Sequence, residues 1–178
     1  MEPIKDSREK LDSSLFNSRL ETGTRALIVL NTAYPSSFDL TRLTWLDHLV
    51  VHTGDIGGPD SLHPTLPQRS GEILVRRRLI EDGLTLMRRL HLVATISNES
   101  GIAYQATDEA HPLVELMRTN YAMELKNRAK WLVENVCSLG EVAMQKLIAD
   151  KLGRWNIEFQ EKTEISKGGH NERIQLNH

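Results

Sequence analysis

The sequence predicts a mostly α fold with a small β-hairpin, a winged helix-turn-helix-like domain followed by a C-terminal helical extension. Three observations predict it. Apolar residues recur at helical spacing in three successive segments before residue 90. Two short β-prone runs then flank Asn98-Glu99-Ser100-Gly101, a turn in which Gly supplies the positive-φ position. A long helical pattern follows. Three helices, a hairpin and a further helix is the order of a winged helix. The expected organisation is a flexible segment over residues 1–14, a winged-helix-like domain over 15–137, and a helical extension with a loose tail over 138–178.

Each element has its own signal. Residues 1–12 are polar and charged, with few anchors. Ala26, Leu27, Val29, Leu30 and Ala33 define the first helix, which should stop near Tyr34 because Pro35 disfavours helical geometry in the residue before it. A second helix should start at about Asp39, capped by Ser36, Ser37 or Asp39, with Leu40, Leu43, Leu46, Leu49 and Val50 on its buried face. Residues 54–68 hold three Gly and three Pro and read as a long irregular loop. The third helix spans about 70–90, with Ile73, Ile80, Leu84 and Met87 on one stripe joined by Leu79, Leu86 and Leu90. Gly83 weakens it by about 1 kcal/mol relative to Ala, which suggests a bend or a close contact there. Residues 92–96 and 102–106 read as strands. One helix is then expected over 111–136, striped by Val114, Met117, Tyr121, Leu125, Ala129, Leu132 and Val136. An amphipathic segment over 139–152 follows it.

Composition narrows the function classes. The chain has 178 residues, of which 39% are hydrophobic and 26% charged, enough for a core of useful size. A net charge of -2 argues against coating nucleic acid by bulk charge. The single Cys137 cannot form an internal disulfide and reads as a structural thiol in a reducing compartment. No apolar run is long enough to cross a bilayer, and the expected location is cytoplasmic.

Two constellations carry ionisable groups. Asp47, His48, His52, Asp55 and His63 cluster around the second helix and the loop after it. His48 and His52 are four apart and share a helix face, as two ligands of one metal ion do. The position after the first His, where a zinc hydrolase keeps its general base, is Leu49. Helix capping and pinning of the loop is therefore the preferred use, with no metal and no cofactor. The second constellation is Arg76, Arg77, Arg78, Arg88 and Arg89 on the third helix. Arg76, Arg77, Arg88 and Arg89 are the candidate DNA contacts, since this helix enters the major groove in a winged helix. Successive helical residues point about 100° apart, so Arg76 to Arg78 cannot all face one ligand. No nucleophile elbow and no phosphate loop is present, and no catalytic residue is expected.

The run Trp45-Leu46-Asp47-His48-Leu49-Val50-Val51-His52-Thr53-Gly54-Asp55, continued by Gly57-Gly58-Pro59-Asp60-Ser61-Leu62-His63-Pro64, lies inside a longer resemblance. From Phe16-Asn17-Ser18 through Arg69-Ser70-Gly71-Glu72-Ile73-Leu74-Val75-Arg76-Arg77, and more loosely to Val136, the chain resembles the middle-component subunits of ABC three-component, or Lamassu-type, anti-phage defence systems. The resemblance implies a non-enzymatic adaptor. Its partners would be an ATPase of the structural-maintenance-of-chromosomes (SMC) type and an effector, often a nuclease, released when foreign DNA is sensed. The expected partner contacts are Asp55 and His63 on the long loop, and Leu139, Leu147, Leu152 and Trp155 in the C-terminal segment. Two rivals stand beside this reading: a free-standing winged-helix transcription regulator, and a small metal hydrolase using His48 and His52.

Overall fold

The computed structural model describes residues 18–64 and 72–152. The expectations for residues 1–17, 65–71 and 153–178, including Trp155 and the tail, lie outside the described residues.

Ser18 starts the first helix, α1 (Arg19–Thr32), by accepting from the Glu21 backbone N–H at 3.2 Å. The helix stops two residues before Tyr34, and a turn with a cis Tyr34–Pro35 bond leads to β1 (Phe38–Asp39). Asp39 then caps α2 (Leu40–Val51), its Oδ1 accepting from the Arg42 N–H at 2.7 Å. A 3-10 turn (Thr53–Ile56) follows, and α3 runs from Glu72 to Arg89. The hairpin strands are β2 (Val93–Asn98) and β3 (Gly101–Ala106). Three helices complete the described chain: α4 (Ala110–Leu116), α5 (Asn120–Asn135) and α6 (Glu141–Leu152).

The fold is mostly helical, with a small three-stranded antiparallel sheet in the order β1-β3-β2. Phe38 pairs with Tyr104, and Val93 with Ala106. The element order α1-β1-α2-α3-β2-β3 is that of a winged helix, with β2 and β3 forming the wing. Sequence periodicity missed β1, because two residues are too few to show alternation.

One expectation is corrected. Residues 111–136 form two helices, not one. Met117 is extended (φ -76°, ψ 99°), and Thr119 restarts the helix by accepting from the Ala122 N–H at 3.2 Å. A second correction concerns Leu90, which is exposed at the end of α3 and takes no part in the stripe.

The core is aliphatic. Leu27, Ile28 and Leu30 of α1 meet Leu43, Leu46 and Leu49 of α2, and Ile80 and Leu84 of α3. Leu125, Ala129 and Leu132 of α5 close it, and Met144 and Ile148 of α6 belong to the same cluster. Packing is thus continuous across residue 138. At the crossing of α1 and α3, Gly23 faces Gly83 so closely that a Cβ on Gly83 would lie 2.7 Å from the Gly23 nitrogen. The expected close contact at Gly83 is what the structure shows. Among the described residues no helix is long and apolar enough to cross a membrane.

Candidate partner and nucleic-acid interface

The buried face of α2 carries a carboxylate that joins three helices. Asp47 is 2% exposed. Its Oδ1 accepts from Arg25 Nε of α1 at 2.7 Å, and its Oδ2 accepts from Arg76 Nη1 of α3 at 2.6 Å. Arg25 is itself 2% exposed and also reaches Glu21 Oε1 at 3.4 Å. Burial pushes the Asp47 carboxyl upward, but Arg25 and Arg76 outweigh that and hold it below the ordinary carboxylate range. Two cations and two carboxylates balance inside the fold. Arg76 is therefore held by an internal partner at 21% exposure, not spread on the surface. Sequence reading placed Asp47 among the histidines and did not see Arg25. The signal was an arginine inside the apolar stripe of α1.

The histidines form a ladder beside this clamp. The His48 and His52 rings lie with centroids 4.5 Å apart and planes tilted by 32°, and His63 meets His52 edge-on at 6.2 Å. His63 Nε2 lies 2.9 Å from the Tyr121 hydroxyl of α5. The loop carrying His63 is pinned. Leu62 and His63 both donate to the Val51 carbonyl, Thr53 Oγ1 donates to the Pro59 carbonyl, and Arg128 Nε donates to the Asp60 carbonyl at 3.0 Å. Asp55 stays exposed in the 3-10 turn, away from this ladder. Among the described residues no three His, Cys, Asp or Glu side chains converge as a metal ion requires.

Burial, with Arg76 and His52 adding to it, pushes His48 down to about 3. Burial, then Arg25 and His52, pushes His63 down to about 4. The unfolded values lie near 6.5 for both. Above that pH both states are neutral and the histidines contribute nothing. As pH falls below it, the unfolded chain takes up protons that the folded chain refuses. Stability should therefore fall from about pH 6.5 to pH 5 at roughly 1.4 kcal/mol per pH unit for His48 alone. Urea unfolding across that window reads the slope, and a His48→Gln variant should lose about one proton of it. A flat profile would contradict the burial of the ladder.

The arginines of α3 divide along the helix. Arg76 faces the clamp, and Arg77 Nη1 donates to Thr41 Oγ1 of α2 at 3.1 Å. Arg88 and Arg89, in the last turn, are exposed and line an open cavity of about 670 Å³ beside the wing. The four arginines expected to act together are thus separated into an internal pair and an outward pair. Cys137 is half-buried, and burial pushes its thiol up, which suits a structural rather than a reactive sulfur.

A family model described as the ABC-three component (ABC-3C) system Middle Component 2 matches residues 15–158. The chain belongs to that family. No curated protein and no solved structure matches it.

A middle component of a three-component system acts with partner components, so its outward apolar groups matter. In this middle component Leu139, in the 3-10 turn before α6 (Cys137–Leu139), is 49% exposed, and Val142, in the first turn of α6, is 82% exposed. Leu147 is half-buried against the core, and the side chain of Leu152 lies outside the described residues. Met144 and Ile148 face inward, so the α6 stripe is partly covered by its own domain. Val142 was missed in the sequence because it lies off the periodic stripe, on the opposite face of the helix.

Proposed function

We propose that the chain is a non-catalytic adaptor of a bacterial anti-phage defence complex of the Lamassu type. It bridges an SMC-type ATPase and an effector subunit, often a nuclease, and restrains the effector until foreign DNA is sensed. The family match over residues 15–158 carries this reading. The internal use of the ionisable groups supports it: Asp47 is spent on Arg25 and Arg76, and the histidines are packed against one another. DNA contact by this chain is secondary in this reading, and it rests on the outward Arg88 and Arg89 and, less, on Arg77. Asp55, Leu139 and Val142 are contact groups for partner subunits.

Co-expression with the neighbouring genes tests the proposal. A tagged chain should co-purify with a coiled-coil ATPase. Leu139→Asp with Val142→Asp, both on exposed side chains, should leave the fold intact and reduce recovery of at least one partner about tenfold or more. Deleting residues from 139 onward is a poorer test, because it removes core Met144 and Ile148. Saturable ATP binding by the isolated chain, or sequence-specific nanomolar DNA binding at physiological salt, would overturn the adaptor reading.

A further inference from the structure

The wing has an open edge. In the order β1-β3-β2, the strand β2 pairs with β3 alone among the described residues. The Thr107 N–H donates to the Leu92 carbonyl at 3.0 Å, which fixes the phase of the ladder. Hydrogen-bonded pairs alternate in an antiparallel ladder, so Ala94, Ile96 and Asn98 point their main-chain groups at β3. Val93, Thr95 and Ser97 therefore point their N–H and C=O groups away from β3; Val93 is buried, while Thr95 and Ser97 are exposed. Edge strands are commonly blunted by charge, proline or a bulge. Val93-Ala94-Thr95-Ile96-Ser97-Asn98 carries no charge and no proline, and its register with β3 runs unbroken. It is built as an edge that can pair.

The open cavity lies against this same edge. Val93, Ala94 and Thr95 of β2 form one wall, and Arg88, Arg89 and His91 form the other. Neither Arg88 nor Arg89 makes an ion pair within 4.0 Å among the described residues. His91 holds an unusual backbone for a non-glycine residue, with φ at 61°. It occupies the position after α3 where glycine is the usual choice. Its N–H donates to the Arg88 carbonyl and the Leu92 N–H donates to the Met87 carbonyl, which is the bonding of a Schellman helix end. Thr107 Oγ1 donates to the His91 carbonyl at 2.7 Å and fixes the turn. His91 adopts this glycine-favouring conformation at a conformational cost, and it lines the cavity beside two arginines.

We propose that β2 accepts an extended acidic segment of a partner component as an added strand, with a carboxylate of that segment lodged between Arg88, Arg89 and His91. Main-chain bonds to the exposed Thr95 and Ser97 supply the pairing, and the arginines of the cavity select the acidic side chain and set the register. A duplex is the poorer fit. Its backbone cannot bond a strand edge in register; Glu109, which also lines the cavity, repels a phosphate and a carboxylate alike and does not decide between them. The proposal rests on the adaptor reading for the source of the segment, but not for the site itself.

Residue-resolved amide exchange on the full chain tests it. The probe is a short synthetic peptide of alternating Glu and Val, with a Lys-Val peptide as control. The Glu-Val peptide should slow exchange at Thr95 and Ser97 and leave Ala94 and Ile96, already bonded to β3, unchanged. The Lys-Val peptide should not. Arg88→Ala and Arg89→Ala should each weaken binding about tenfold. His91→Gly relaxes the helix end, so it should fold at least as well as the parent and still bind more weakly. Absence of the alternating protection, or equal protection by the Lys-Val peptide, would overturn the proposal. If the chain co-purifies with its neighbours while Thr95 and Ser97 exchange as fast as in the isolated chain, the edge assignment fails and the adaptor reading stands. If nothing co-purifies but the peptide binds, the reverse holds.

Discussion

Replacing Asp47 by Ala is expected to cost about 3–5 kcal/mol of folding stability, because the change leaves Arg25 charged and buried without its main partner. Against a typical domain stability of about 5–15 kcal/mol this is a large fraction. For a chain of this size it corresponds to a fall in Tm of roughly 10 °C or more. Arg25→Ala should cost nearly as much, since it strands part of a carboxylate that is 2% exposed. Arg76→Ala should cost less, because Arg25 still holds Asp47 through Nε at 2.7 Å and Nη2 at 3.2 Å. The expected order is therefore Asp47, then Arg25, then Arg76. Exchanging Asp47 and Arg25 together for Leu and Met should recover much of the loss, as an apolar pair carries no desolvation cost. Urea unfolding of the four variants measures the order. An Asp47→Ala protein within about 1 kcal/mol of the parent would show that the clamp does not hold the three helices.

The winged-helix order was legible because it is written in local signals. The stripes of α1 to α3, the Gly101 turn and the cap at Asp39 are all set by residues within a few positions of one another. The Arg25–Asp47 pair is not of that kind. Its members are 22 residues apart, and rules of helical spacing see only three or four. The divergence of Arg76 and Arg77 did follow from the 100° step between helical residues. What each arginine would meet did not. The break between α4 and α5 was hidden for a different reason. Val114, Met117, Tyr121 and Leu125 keep a helical rhythm straight across it, and that rhythm does not show that Thr119 restarts the helix. The edge status of β2 could not be read at all without β1. With only a hairpin in view, either strand has a free side, and the two residues Phe38 and Asp39 decide which one is covered.

Substituting Gly83 should do damage that a helix-propensity argument would not anticipate. In an exposed helix, Gly→Ala stabilises by about 1 kcal/mol. At Gly83 the new Cβ would meet the Gly23 nitrogen at 2.7 Å, the Gly23 Cα at 2.9 Å and the Arg19 carbonyl oxygen at 3.0 Å. All three are backbone atoms of α1 and cannot rotate away, so α1 and α3 must move apart. Gly83→Ala is expected to give a net loss of about 1–3 kcal/mol, the range for forcing atoms into a packed core, and Gly83→Val a larger one. Gly23→Ala meets the Gly83 oxygen at 2.8 Å and the Met87 Cε at 2.9 Å, one rigid and one flexible neighbour, so it should cost less. The double Ala variant should cost less than the sum, since the helices have to separate only once. Separation also pulls Arg25 on α1 away from Arg76 on α3, the two cations that share Asp47. Gly83→Ala should therefore be partly additive with Asp47→Ala at most, because both loosen the same junction. Thermal and urea unfolding decide the matter. A Gly83→Ala protein as stable as the parent would mean that the α1–α3 crossing is looser than these distances require.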